Sequence, residues 1–123
     1  MDPRIKLALQ LMGEITTGRL TVARVAQEVG LSPSRFEHIL KKTTGKSFRQ
    51  HTHSIRIREA KRLLKDWHLS LKQIAYMTGY SSPASFSRAF RSTVRRSPSQ
   101  YRLTERFAQR KSIEATVTSR SGK

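Results

Sequence analysis

The chain states one pattern twice. Residues 20–51 are echoed by residues 69–101. At an offset of 49, Leu20, Ala26, Gly30 and Ser32 match Leu69, Ala75, Gly79 and Ser81. One extra residue, Ser82, then enters, and at an offset of 50 Pro33, Phe36, Thr43, Ser47 and Gln50 match Pro83, Phe86, Thr93, Ser97 and Gln100. Each copy reads as a short helix, a turn carrying Gly, and a second helix opened by Ser and Pro, which is the outline of a helix-turn-helix. A duplicated helical hairpin can also be a packing repeat and nothing more, so composition has to separate the two readings.

It does so through charge. Lys and Arg number 25 against 8 acids, a net charge of +17 on 123 residues. Such a surplus opposes compaction by self-repulsion and points to a polyanionic partner. Two helix-turn-helix units on that background point to double-stranded DNA, one unit entering one major groove and its twin the next. The length allows one domain or two very small ones. Cysteine is absent, which removes disulfides, thiolate zinc sites and Cys nucleophiles and fits a reducing cytoplasm. No run of 18 apolar residues exists, and Met1-Asp2-Pro3 lacks the apolar core of a signal peptide. The expectation is a cytoplasmic, nucleoid-associated protein with no membrane partner.

Helix boundaries are legible from capping residues. All four prolines follow a good N-cap: Asp2-Pro3, Ser32-Pro33, Ser82-Pro83 and Ser97-Pro98. Proline is tolerated at the first helical position, where its missing N–H has no intrahelical partner to lose. Ser47/Gln50, Ser70/Gln73 and Ser97/Gln100 form S-x-x-Q capping boxes. Gly18, Gly30, Gly45 and Gly79 fall where helices should stop. The pattern predicts seven helices near 3–16, 22–29, 33–44, 48–67, 71–78, 83–94 and 98–103, with no strand. The fold class is therefore all-α: a first lobe over about 1–47, a connector helix over about 48–67 and a second lobe over about 68–103. The connector carries Phe48, Ile55, Leu63, Leu64 and Trp67 at helical spacing among Arg56, Arg58, Lys61, Arg62 and Lys65. At 1.5 Å per residue it would span about 30 Å, close to the roughly 34–36 Å of one DNA turn. Residues 104–123, rich in Ser, Thr, Lys and Arg, are expected to form a basic, disordered tail past a short helical extension, able to serve as a weak phosphate-binding arm.

The second helix of each copy is the candidate reader. With Phe36 at the centre of the buried face, Ile39, Leu40 and Thr43 fall beside it, and Ser34, His38 and Lys41 lie opposite, flanked by Arg35, Glu37 and Lys42. In the second copy Phe86, Ala89, Phe90 and Thr93 face inward, leaving Ala84, Arg88 and Arg91 outward with Ser85 and Ser87 as flanks. Base reading belongs to the N-terminal part of such a helix, so Ser34, Arg35, His38, Ala84, Ser85 and Arg88 are the candidate base readers. Arg88 suits a bidentate contact to guanine, and Ala84 a thymine methyl. Lys41, Lys42 and Arg91 are candidates for phosphates. Phe36, Phe86 and Phe90 are assigned to the core.

Other chemistry has little support. His51 and His53 are two apart and face different ways on a helix, a poor metal pair. No phosphate-binding G-x-x-x-x-G-K-[ST] loop appears, nor paired carboxylates beside a nucleophile. No catalytic residue, metal site or cofactor is expected, and the chain is not read as an enzyme.

Residues 20–103 resemble the DNA-binding domain of AraC/XylS-type transcriptional regulators. The resemblance rests on the run Ile74-Ala75-Tyr76-Met77-Thr78-Gly79-Tyr80-Ser81-Ser82-Pro83-Ala84-Ser85-Phe86-Ser87-Arg88-Ala89-Phe90 and on Ser97-Pro98-Ser99-Gln100-Tyr101-Arg102. Upstream, Arg56, Ala60, Leu63 and Leu64 stand at the connector's R-x-x-x-A-x-x-L-L pattern. It implies a seven-helix, two-lobed domain over about 1–103 that inserts one helix per lobe into adjacent major grooves of an asymmetric site, as a monomer. Three departures stand out. The chain has no room for the separate ligand-binding or dimerising domain of many members and resembles the small stand-alone ones, so no small-molecule ligand is expected. His51 and Thr52 replace an aromatic and an aliphatic residue. Arg95 stands where a glycine is usual, followed by Arg96. A non-glycine left-handed residue costs about 1–2 kcal/mol, so the turn either differs or bears that cost; the two charges, like Arg56, are further phosphate candidates. A sequence-specific transcription factor leads; a nucleoid or RNA-binding protein without base selection is the alternative. A third reading, contact with RNA polymerase or another regulator, draws on Leu7, Leu11 and Ile15, a row beside the expected core row Ile5, Leu9 and Met12.

Overall fold

Ser, Thr and Asp caps decide where the helices begin. A computed structural model describes residues 1–14 and 20–121, and among them there are seven helices and no strand. They are α1 (Pro3–Glu14), α2 (Val22–Glu28), α3 (Pro33–Thr44), α4 (Phe48–Leu64), α5 (Leu71–Met77), α6 (Pro83–Val94) and α7 (Pro98–Ser121). Ser32 Oγ accepts from the Arg35 amide and Ser82 Oγ from the Ser85 amide. All three expected capping boxes form: the Ser amides of residues 47, 70 and 97 donate to Gln50, Gln73 and Gln100 Oε1, and the reciprocal bonds are present. Gly18 and Ile15 lie outside the described residues.

Two cores result, joined by one helix. The first contains Ile5, Ala8, Met12, Val25, Ala26, Phe36, Leu40 and Phe48, with Ile55 packed against it. The second contains Ile57, Ala60, Leu63, Leu64, Ile74, Ala75, Phe86 and Phe90. The connector α4 thus gives its first half to one lobe and its second half to the other. Phe36 meets Phe48 edge-on at 6.1 Å, and Phe86, Phe90 and Tyr101 form a chain of ring contacts at 5.8 and 5.5 Å. The three core phenylalanines are almost wholly buried, so their assignment holds.

Three expectations are corrected. First, α4 stops at Leu64 rather than at residue 67, giving 17 residues and a span of about 25 Å. The apolar spacing of Trp67 was misleading, because Asp66 caps a turn through the His68 amide at 2.9 Å and Trp67 leaves the helix. Second, the tail is helical from 104 to 121 as a continuation of α7. No Gly or Pro intervenes between Pro98 and Gly122, and Arg106 anchors the extension by lying over the Trp67 ring at 4.6 Å. Third, Thr43 and Thr93 are exposed, and Thr44 and Val94 take the half-buried places. Thr44 and Val94 lie four residues beyond the buried Leu40 and Phe90, so the inward stripe runs along the i, i+4 row and leaves Thr43 and Thr93 beside it, with Val94 still packed against the second core. On α1, Ile5, Ala8 and Met12 are buried, Leu9 and Leu11 are half-buried, and Leu7 is exposed.

The turn at Arg95 does not differ from its twin. Arg95 caps α6 with φ 68° and ψ 16°, its amide donating to Arg91 O, as Gly45 caps α3 with φ 78° and ψ 0° and donates to Lys41 O. Among the described residues it is the one non-glycine with positive φ. The repeat's geometry is kept and the left-handed cost is borne.

Candidate nucleic-acid interface

Each lobe holds its second helix over a first one. In lobe one, α2 ends, Gly30 turns left-handed, and α3 starts from the Ser32 cap; in lobe two, α5, Gly79 and Ser82 repeat the arrangement. Burying Phe36 and Leu40, or Phe86 and Phe90, leaves the opposite face of each reader in solvent. On α3, Ser34, Arg35, Glu37, His38, Lys41 and Lys42 are all exposed. Glu37, His38, Lys41 and Lys42 surround one open depression. On α6, Ala84, Arg88 and Arg91 are exposed, and Arg95 and Arg96 follow in solvent.

Two candidates sit differently. Ser85 is half-buried, and its hydroxyl accepts from Ser82 Oγ at 3.0 Å, which leaves its own O–H free to donate. Arg56 is half-buried with its guanidinium over the Tyr80 ring at 5.9 Å, so stacking orients it.

Sequence reasoning missed three groups. Arg49 joins Lys41, Ser47, Gln50 and His53 around a second depression, where the end of α3 meets the start of α4. The Ser47 cap was the signal that a helix begins there. Arg102, only 9 % exposed, clasps the α4–α5 turn: its Nε donates to Leu64 O at 2.9 Å and its Nη2 to Asp66 O and Leu69 O at 3.1 and 2.7 Å. Its guanidinium also lies over Trp67 at 5.2 Å. Burial pulls its pKa below the ordinary arginine value, with Asp66 opposing the shift. Nothing in a sequence distinguishes this arginine from its solvated neighbours.

His51 and His53 are the third. As the two-residue spacing requires, they face apart. His51 Nε2 lies 2.8 Å from Thr44 Oγ1 in lobe one, and His53 Nε2 lies 2.6 Å from Thr93 Oγ1 on α6. Thr44 Oγ1 already donates to Leu40 O at 2.7 Å, so the neutral His51 ring serves best with its proton on Nε2. Burial, and then Lys46, lower the His51 pKa. Among the described residues no group of three His, Cys, Asp or Glu side chains could hold a metal ion, and no helix is long and apolar enough to cross a membrane.

Comparison with known proteins agrees with this architecture. The helix-turn-helix domain profile matches residues 25–104. The chain is 34% identical over 100 residues to the HTH-type transcriptional regulator GlxA of Rhizobium meliloti, covering 81% of this chain and 31% of that one. It is 32% identical over 103 residues to the arabinose operon regulatory protein of Escherichia coli, covering 83% and 35%. The chain therefore spans about a third of the length of these relatives. Among solved structures, the C-terminal domain of AraT, a response regulator from Geobacillus stearothermophilus, superposes with a TM-score of 0.77 at 32% identity, covering 84% of this chain and 86% of that one. Duplicated helix-turn-helix lobes on a shared connector, matched over most of the chain by these proteins, place it in the AraC/XylS family of transcriptional regulators.

Proposed function

We propose that the chain is a sequence-specific DNA-binding transcription factor that seats α3 and α6 in successive major grooves as a monomer, in the cytoplasm and without a cofactor or small-molecule ligand. The observation that carries the reading is the pairing of one scaffold with two different outward faces. Ser34, His38 and Lys41 on α3 become Ala84, Arg88 and Arg91 on α6, while the buried faces keep Phe36 and Phe86 in register. A repeat kept only for packing would have no cause to present a cationic edge on both copies. Two unlike readers fit a non-palindromic site better than a palindrome.

Roles follow from position. Ser34, Arg35, His38, Ala84, Ser85 and Arg88 lie early enough to reach base edges, and Lys41, Lys42, Arg56, Arg91, Arg95 and Arg96 flank them toward the backbone. The test is a titration of two variants against a selected duplex and its single-substituted relatives. Arg88→Ala is expected to cost about 1–3 kcal/mol and relax preference at one or two positions of the second half-site. Lys41→Ala is expected to weaken all duplexes alike and lower the salt slope by about one. Equal weakening of every duplex by Arg88→Ala would make α6 a backbone clamp and favour a nucleoid protein without base selection.

A further inference from the structure

The connector does more than separate the lobes. One of its faces reaches across to the second reader at two levels. His53, on the half of α4 that packs on lobe one, meets Thr93 in the last turn of α6 at 2.6 Å, across 40 residues of sequence. One turn later Arg56 lies over the Tyr80 ring at 5.9 Å, and Tyr80 packs on Phe86 in the first turn of α6 at 5.5 Å. The reader of lobe two is thus held near both ends by a helix whose beginning is buried in lobe one. On the other side of the same stretch, His51 meets Thr44 at the end of α3. A histidine from one turn of the connector therefore touches the last turn of each reader.

We infer that His53 is a positioning residue: its bond to Thr93 sets the angle of α6 relative to lobe one, and through it the base-pair spacing the protein accepts between its two half-sites. Each base pair added between half-sites rotates the second groove by about 34–36° and moves it about 3.4 Å along the axis. A reader free to swing about lobe two's packing would follow part of that displacement, and a reader tied at Thr93 would not. The inference rests on the two-groove reading above.

The experiment measures affinity for a selected duplex and for versions with one base pair inserted or removed between the half-sites. The proteins are the full chain, His53→Ala, Thr93→Val, the double variant and the conservative Thr93→Ser. The parent should show a sharp optimum at one spacing. His53→Ala and Thr93→Val should each narrow the ratio between optimal and altered spacing by about three- to tenfold, the range expected from one hydrogen bond. The double variant should equal either single one, and Thr93→Ser should keep the parental optimum. An unchanged spacing ratio in both single variants overturns the inference while leaving two-groove binding intact. A parent with no spacing optimum overturns the two-groove reading and the inference with it.

Discussion

Arg102 is the charged side chain that the fold buries most deeply among backbone carbonyls, and its loss should be felt as lost stability. It crosses from α7 to the turn after α4 and satisfies three carbonyls, those of Leu64, Asp66 and Leu69, the first at a buried contact and the others at half-buried ones. Leu64 is the last residue of its helix, so its carbonyl has no partner within the helix. A hydrogen bond from a charged donor contributes about 1.5–3 kcal/mol. The three are not additive, because they share one guanidinium whose burial carries a cost, and Asp66 O keeps the Leu69 amide as a donor at 3.2 Å. Arg102→Ala is therefore expected to lose about 3 kcal/mol. That is a large part of a total of about 5–15 kcal/mol and corresponds to roughly 10 °C in Tm for a chain of this size. Arg102→Lys should recover no more than about a third, since a point-like ammonium cannot span three carbonyls as a planar fork does. Urea and thermal unfolding, with purified variants at one protein concentration, give both numbers. An alanine variant within about 0.5 kcal/mol of the parent, or full rescue by lysine, would refute the clasp.

Three further outcomes follow from the same geometry. Arg95→Gly should raise stability by about 0.5–1 kcal/mol, the left-handed strain removed less the entropy glycine adds to the unfolded chain; a lower midpoint would show that Arg95 contributes something besides its backbone. Tyr80→Phe should be neutral or stabilising by about 1 kcal/mol, because the Tyr80 hydroxyl is buried and the described residues offer it no hydrogen-bond partner; a clear loss of stability argues against that burial. His51 has a folded pKa held below its unfolded value by burial, so the unfolded chain takes up the proton first as pH falls. Stability should be greatest above about pH 6.5 and decline below it, and His51→Gln should flatten that part of the curve; an identical pH profile in the variant would remove His51 as the cause.

Much of this architecture was legible because local chemistry and tertiary packing agree. Every helix after α1 begins at a Ser or Thr, and five of those six starts carry Pro or a capping box that points to the same residue. The outward faces of α3 and α6 followed from placing one phenylalanine inward. What was not legible depends on contacts distant in sequence. Arg102, near the end of the expected last helix, and Arg106, in the expected tail, look like two more solvated charges until Trp67 is brought beneath them. Thr93 reads as a core residue by periodicity, and only the return of α4 past the end of α6 gives it a polar partner. Trp67 extends an apolar series that Asp66 interrupts by bonding locally. The tail looked disordered by composition, although its lack of breakers already allowed a helix.

The division of α4 between two cores has a consequence for how the molecule melts. Each lobe is too small to be secure alone, and each borrows half of the same helix, Phe48 and Ile55 on one side and Ile57, Ala60, Leu63 and Leu64 on the other. Fraying of the connector from either end removes a wall of one core and shortens the helix on which the other depends. Neighbouring units coupled through such a shared element behave as one cooperative block rather than two independent ones. Amide exchange should accordingly be slowest in the middle of α4, around Ile57 and Ala60, and faster toward both lobes. Damage confined to one lobe would then withdraw both readers at once, so a weakened protein vacates its whole binding site instead of lingering on half of it.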